Sequence, residues 1–314
     1  MDKNDPLIYV AIPEAGFRTV VRNALHSNGY RNITIESSFS ELEEAMKGPS
    51  PDLLIIGSGF EEDNVFKFVK RVRHNEIGQD PFLPVVMISA ESTKKIVGSA
   101  ISAGADDLLI HPFSISDIAT RLDAITHRRK KFVVTSDYIG PNRRSGNRGD
   151  AGDNMVEFEV PNRFRAKVTG DMSSKELSEK VKEVLSVINE ERLERYGEQV
   201  AWLTARILPG LAWAYDTDLE PEVEGYLIRL EEVAEDTRKR LKDTQYEHVS
   251  LLCDPLIALS KRLLARNEST YDKDKDLLLE LSRAFKGAFG ENKGGLSKEI
   301  SDTVKSALQP EQGA

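Results

Sequence analysis

The chain has a single cysteine, Cys253, so it cannot form an internal disulfide, and this residue is interpreted as a buried helix residue in a reducing cytoplasm. No apolar run approaches the roughly 18–20 residues needed to span a membrane. The first residues, Met1 to Asp5, are polar and acidic, unlike a signal peptide. The sequence therefore predicts a cytoplasmic protein that does not enter a membrane.

Positively charged residues are outnumbered by negatively charged ones. The chain has 43 Lys and Arg against 52 Asp and Glu, a formal net charge of −9, which argues against a broad nucleic-acid surface. Charged residues make up 30% of the sequence and hydrophobic residues 39%, a composition typical of a charge-rich, helical globular protein. A length of 314 residues predicts two domains.

Five short apolar segments alternate with amphipathic segments over the first 130 residues. This alternation, with a period of about 25 residues, predicts an α/β fold with a doubly wound, five-stranded parallel sheet. The third segment is apolar throughout, as expected of a strand that helices cover on both faces. The strand candidates are Leu7–Ala11, Ile33–Ile35, Leu53–Ile56, Pro84–Ala90 and Leu108–Ile110.

Three sequence motifs in this region are more informative about its fold than the 25-residue period is. Pro51-Asp52-Leu53-Leu54 enters the third strand, Pro84 to Ala90 forms the fourth, and Ala103 to Phe113 reads Ala-Gly-Ala-Asp-Asp-Leu-Leu-Ile-His-Pro-Phe. On these motifs, residues 5–130 resemble a CheY-like receiver domain of bacterial two-component signalling. The resemblance implies the receiver fold, bacterial signalling proteins as partners, and a cis peptide bond at His111–Pro112.

The resemblance also implies which positions carry phosphoryl chemistry, and most of them have changed. The two acidic Mg²⁺ ligands of the family fall on Ile12 and Pro13, the phosphoacceptor aspartate on Gly57, and the lysine on His111. Only the hydroxyl position is retained, as Ser89. Because Mg²⁺ requires oxygen ligands, this pattern predicts a degenerate phosphorylation site with no catalytic residue, metal or cofactor. The domain is thus expected to be a pseudo-receiver.

Four acidic side chains lie close to these positions in the sequence. They are interpreted as a solvated charged surface rather than as replacement metal ligands. These residues are Glu14, Glu61, Glu62 and Asp63.

Residues 131–170 are interpreted as a linker with short strands. Phe132, Tyr138 and Ile139, followed by Arg143 and Arg144, are candidate interaction residues, which dock either on the receiver-like domain or on another protein. The Gly-, Asn- and Arg-rich stretch from residue 145 to residue 153 is predicted to be mobile.

Residues 171–314 are predicted to be all-α. Ser173 and Glu176 form a capping box, and apolar residues then recur at three- and four-residue steps as far as Pro209, which predicts one long helix. Later segments repeat the pattern and predict a helical bundle or hairpin. The stripe of the long helix includes Val184 and Ile188, and it packs on the later helices, on a second copy as a homodimer, or on both.

Three functions follow from this organisation. The favoured one is a non-enzymatic signalling adaptor or scaffold, in which a pseudo-receiver at residues 1–130 is joined to a helical interaction domain at residues 171–314. The second is a phosphorelay component phosphorylated on His248 or His111, although Val249-Ser250-Leu251-Leu252 after His248 lacks the Lys-Gly of phosphotransfer domains. The third is a DNA-binding response regulator with an unrecognised output domain.

Overall fold

The computed structural model describes residues 5–60, 62–135, 137–143, 156–213, 219–242, 244–265 and 271–289. The chain divides into two compact units, Met1–Ser186 and Val187–Ala314, and each is described by itself. In the described part of the chain, no helix is both long and apolar enough to cross a membrane.

The first unit contains the predicted parallel sheet. Its strands follow the order β2-β1-β3-β4-β5, and β1, β3 and β4 are buried along their whole length because helices cover both faces. The strands are β1 Ile8–Ala11, β2 Ile33–Glu36, β3 Leu53–Gly57, β4 Val85–Ser89 and β5 Asp107–Ile110.

Five helices alternate with these strands. Apolar residues of α1 and α5 form a core cluster on one face of the sheet, and those of α2, α3 and α4 form a second cluster on the other. The fold class predicted from the sequence is therefore confirmed for this unit. The helices are α1 Ala15–Ser27, α2 Phe39–Ala45, α3 Glu62–Arg73, α4 Lys94–Ala103 and α5 Ile115–His127.

The chain after α5 forms a small antiparallel sheet and one short helix. Strands β6 (Phe132–Val134), β7 (Ile139–Pro141) and β8 (Glu157–Phe158) follow the order β7-β6-β8, and α6 spans Arg163–Thr169. Phe164 of α6 is fully buried in the cluster of α1 and α5. These elements belong to the first compact unit, so the structure differs from the predicted boundaries at residues 130 and 170. The predicted mobile stretch at residues 145–153 lies outside the described residues.

The second half is helical, as predicted. The capping box forms at the start of α7 (Ser174–Trp213), where the Ser173 N–H donates to Glu176 Oε2 at 2.8 Å and the Glu176 N–H donates to Ser173 Oγ at 3.3 Å. Helix α7 does not end at Pro209, contrary to the prediction. It continues because Leu211, beyond the proline, is fully buried and Gly210 packs directly on Val223.

The core of the second unit joins α7 to the later helices α8 (Pro221–Arg240), α9 (Ser250–Ala265) and α10 (Tyr271–Ala288). The apolar stripe of α7 is thus covered within the chain from Leu193 onward, by the later helices. Ile188 is also buried and Val184 is partly buried, so these two residues give no support to a homodimer. The α7 residues in this core are Leu193, Tyr196, Val200, Leu203, Ile207 and Leu211.

Candidate functional site

Strands β1 and β3 run side by side and bring Ile12, Pro13 and Gly57 together at the carboxyl edge of the sheet. Ile12 is fully buried. A Cβ atom placed on Gly57 would lie 3.2 Å from Cγ2 of Ile12 and 3.3 Å from Cδ of Pro13. Hydrocarbon therefore packs tightly against Gly57, and a side chain there would require small shifts of Ile12 and Pro13.

The one polar position that the sequence retains, Ser89, is buried and has its hydrogen bonds formed inside the domain. Its hydroxyl donates to the Glu91 carbonyl oxygen at 2.9 Å and accepts from the Glu91 N–H at 3.1 Å. It also accepts from the Ser58 hydroxyl at 2.9 Å. One donor and two acceptor positions are the full capacity of a serine hydroxyl, so none is left for a ligand.

His111 lies on the surface and takes part in an aromatic stack. Its ring centroid is 5.0 Å from that of Phe17, with 29° between the planes, and Phe113 approaches edge-on at 6.1 Å. The bond between His111 and Pro112 is cis, as the resemblance implied. In this position the imidazole packs against rings instead of reaching toward Gly57.

Of the four acidic residues near this edge, Glu14 is the one whose side chain the structure describes. The Glu14 carboxylate lies against Gly59, where its Oε1 atom would be 1.7 Å from an added Cβ. Glu61 and the side chains of Glu62 and Asp63 fall outside the described part of the structure. Among the residues that the structure does describe, no group of three or more His, Cys, Asp or Glu side chains is placed to hold a metal ion.

A buried ionic cluster lies at the opposite, amino edge of the sheet, and the sequence analysis missed it. Asp106 Oδ2 accepts from Arg73 Nη2 at 2.9 Å, and Asp106 Oδ1 accepts from Arg129 Nε at 2.7 Å. The Val85 N–H also donates to this carboxylate at 2.8 Å. The remaining Arg73 donors reach the carbonyl oxygens of Pro81, Leu83 and Gly104.

Electrostatics in this cluster follow from burial and from pairing. Burial opposes ionisation of Asp106, but the neighbouring Arg129 and Arg73 outweigh it and hold the pKa of the carboxyl below its usual range. Burial also lowers the pKa of Arg73 to about 10, and Asp106 limits that decrease. Both partners remain charged at neutral pH.

Most of the candidate interaction residues after α5 pack on this cluster. The buried Phe132 ring lies between two guanidinium groups, 5.3 Å from Arg73 and 5.0 Å from Arg129. Ile139 is buried as well, and Arg143 Nη2 donates to the Ala105 and Asp106 carbonyl oxygens at 2.6 and 2.7 Å. Of the two alternatives left open by the sequence, docking on the receiver-like domain is the one observed.

Three further candidates are Tyr138, which lies near the charges of Arg73 and Asp106, and the residues Arg144 and His248. Tyr138 is half-buried and its hydroxyl donates to the Pro141 carbonyl oxygen at 2.9 Å, whereas Arg144 lies outside the described residues. His248 is half-buried in a single 3₁₀ turn, Glu247–Val249, immediately before α9.

The sheet, its helices and the motif at the end of β5 define a receiver domain. Residues 13–123 match the sequence profile of the family described as "Response regulator receiver domain". This match covers about a third of the chain and concerns the first unit only.

Similar proteins include transcriptional regulators. The Escherichia coli phosphate regulon transcriptional regulatory protein PhoB is 27% identical over 127 residues, 40% of this chain and 54% of that protein. The E. coli KDP operon regulator KdpE is 31% identical over 38% of this chain and 51% of that protein. The chain thus spans about half the length of these two relatives. The Mycobacterium tuberculosis transcriptional regulatory protein PrrA is 24% identical over 71% of this chain and 87% of that protein.

Solved structures of response regulators are similar to part of this chain. A response regulator from Thermotoga maritima is 22% identical with a TM-score of 0.34, and covers 38% of this chain and 94% of its own. The chemotaxis response regulator CheY4 of Vibrio cholerae, also at 22% identity and a TM-score of 0.34, covers 38% of this chain and 97% of its own.

Proposed function

We propose that this protein is a signalling adaptor whose receiver domain works without phosphorylation and without enzymatic activity. The observation that supports the proposal is the contact of Gly57 with Ile12 and Pro13, because it replaces an oxygen-lined cavity with packed hydrocarbon. Phosphoryl transfer to a receiver needs a nucleophilic carboxylate and oxygen ligands for Mg²⁺. Neither is available from these three side chains.

An adaptor of this kind transmits information through surfaces. The receiver domain offers its outer helices to signalling proteins of the bacterial two-component class, and the helical unit offers a second surface. In the helical unit, Trp202 is about half exposed and the Arg206 guanidinium lies 4.2 Å from its ring centroid. Tryptophan and arginine are the residue types that most often dominate protein interfaces. These partners remain to be identified by pull-down with each unit.

Incubation with acetyl phosphate and Mg²⁺ is expected to leave the mass of the intact protein unchanged. Beryllofluoride with Mg²⁺ is likewise expected to cause no amide NMR shifts around Ser89, since its hydroxyl is already saturated. The variant Gly57→Asp restores an acceptor carboxylate but no Mg²⁺ ligand at Ile12 or Pro13, so it should also stay unmodified.

A single stable phosphoryl adduct on the wild-type chain would contradict the proposal. The variants His111→Gln and His248→Gln then decide between mechanisms. An acid-labile adduct that disappears in one of them would identify a phosphorelay component, whereas an adduct retained in both would place the phosphate on another side chain.

A DNA-binding regulator is a second candidate, and one observation favours it. The similarity to PrrA extends over 71% of this chain, beyond the receiver domain, and that relative is named a transcriptional regulatory protein. The net charge of −9 argues in the other direction.

Titration of the full chain with duplex DNA separates the two candidates. When a protein contacts DNA phosphates, the logarithm of its affinity falls linearly with the logarithm of the salt concentration, with a slope of about −0.9 for each phosphate contacted. For the adaptor, we expect no such salt-dependent binding. A steep slope, with affinity that differs between promoter and scrambled duplexes, would favour the DNA-binding regulator instead.

A further inference from the structure

We propose that a cationic pocket beside the end of α5 binds a phosphate monoester of about the size of a mononucleotide. The pocket lies within the first unit, between the C-terminal part of α5, the start of β5 and the residues around Pro141. It is separate from the Gly57 edge of the sheet, and it does not depend on whether the protein is an adaptor or a DNA-binding regulator.

The pocket encloses about 330 Å³, which is near the lower end of the range of small-molecule sites. Its apolar wall consists of Ala124, Ile125 and Pro141. A pocket of this volume accepts one phosphate group together with a sugar or a small ring. Its lining, which is partly cationic and partly apolar, favours a small ligand with one charged and one apolar part.

The charge of the lining is strongly positive in a protein that is acidic overall. Five cationic side chains line the pocket against two acidic ones, Asp106 and Asp107. An excess of three positive charges around one cavity, in a chain with a net charge of −9, attracts an anion. The cationic residues are Arg121, Arg128, Arg129, Lys130 and Arg143.

Arg129 is already paired, since its nitrogens donate to Asp106 and to the carbonyl oxygens of Phe82 and Pro161, but the exposed cations of the lining are not consumed in this way. Arg121 lies 3.2 Å from Asp107 and Arg128 lies 2.7 Å from Asp123, but both arginines are substantially exposed, at 43% and 67% of the side chain, and keep free donors. Lys130 is exposed and has no acidic partner among the residues described. Exposed pairs of this kind are weak, so a doubly charged anion can compete for these side chains.

Arg143 provides the second observation that points to a ligand. Its Nη2 atom donates to the Ala105 and Asp106 carbonyl oxygens, which hold the guanidinium at the wall of the pocket. A guanidinium fixed in this way loses little side-chain freedom when an anion binds. Arginine is also the residue whose planar donors best fit phosphate oxygens.

The test is a titration of the full chain with AMP, GMP or inorganic phosphate at constant ionic strength. Binding is measured by calorimetry and by the shifts of amide NMR signals. Saturable binding of a nucleotide is expected, with shifts centred on α5 residues and Pro141-adjacent amides. Binding of AMP or GMP at least tenfold tighter than inorganic phosphate supports a mononucleotide-sized ligand. Equal affinities would overturn that size and leave a site for the phosphate group alone.

Matched variants decide whether the pocket is responsible. Lys130→Gln and Arg128→Gln should each weaken nucleotide binding about tenfold, the usual loss for one charge-assisted hydrogen bond. Lys131→Gln removes an equally exposed charge from the adjacent position, outside the pocket, and should leave the affinity unchanged. Equal losses for Lys130→Gln and Lys131→Gln, or shifts reproduced by chloride at the same ionic strength, would overturn the proposal.

Discussion

Replacing Asp106 with asparagine is expected to lower the free energy of unfolding of the first unit by about 3–5 kcal/mol, the loss found when one member of a buried ionic group is removed. Asp106 is the only acidic residue that pairs with both Arg73 and Arg129 within the described ranges, and it is almost fully buried. Its removal leaves two buried guanidinium groups without their hydrogen-bonded carboxylate, and the charge of the neighbouring Asp80 is then their remaining electrostatic compensation. The Phe132 ring beside them cannot replace the lost charge.

The neighbouring residue provides the control. Asp107 is partly exposed and pairs with the partly exposed Arg121, so Asp107→Asn should cost only about 0–1 kcal/mol. Both tryptophans, Trp202 and Trp213, lie in the second unit, so urea unfolding of the first unit should be followed by its amide NMR signals. Equal midpoints for the two variants would contradict a special role for Asp106.

Lowering the pH should abolish the difference in unfolding free energy between Asp106→Asn and the wild type. The pKa of Asp106 in the folded protein lies below its usual value of about 4, so the folded state favours the ionised form. This contribution is complete at neutral pH and is lost as the pH falls through the folded-state pKa. Unfolding curves of both proteins between pH 7 and pH 2 are therefore expected to converge at the acidic end.

The second large effect is expected for Gly140→Val, at about 3 kcal/mol of lost stability, the upper part of the range for an overpacked core. A Cβ atom on Gly140 would lie 2.8 Å from the Cα atom of Gly104 and 2.6 Å from the Tyr138 hydroxyl oxygen. Gly104 itself has a φ of 85° and is in close contact with the Ile139 carbonyl oxygen. The two backbones touch directly, so a branched side chain must separate β7 from the end of α4.

Hydrogen exchange measures this separation. The amides of Val133 and Thr135 should lose protection in Gly140→Val, because Val133 lies opposite Gly140 in the ladder and the Thr135 N–H donates to the Tyr138 carbonyl oxygen. Gly98→Ala in α4 is the control, since no atom lies within 4 Å of the added methyl group and alanine favours a helix by about 0.5–1 kcal/mol. Wild-type protection in Gly140→Val would contradict the close contact between Gly140 and Gly104.

The strands and most helices could be predicted because their signals are local. Apolar segments of strand length, Ser173 with Glu176, and the motif ending at Phe113 each specify an element within a few residues. Pro209 misled the prediction, since the usual breaking effect of proline was offset by burial of Leu211 on later helices. That burial depends on residues far away in the sequence.

The ionic cluster could not be predicted from its own residues. Arg73 lies in the last turn of an amphipathic helix, where the sequence pattern predicts a solvated cation. Its partner Asp106 is 33 residues further along the chain, so no local pattern connects the two. Docking on the receiver-like domain was one of two alternatives that the sequence left open for Phe132, Tyr138 and Ile139. The contact of Gly140 with Gly104 could not be predicted, because a backbone contact between two glycines leaves no apolar pattern. The three positions Ile12, Pro13 and Gly57 were identified by resemblance, whereas their mutual contact required the parallel pairing of β1 with β3.

The contact at Gly57 also bears on how this domain can evolve. The substitution Gly57→Asp would place a carboxylate against Ile12 and Pro13, where it meets hydrocarbon. An acidic residue at Ile12 would put an unpaired charge into a fully buried position. Each of these single substitutions is expected to lower stability, so sequence changes in this domain are expected to accumulate at its surface instead.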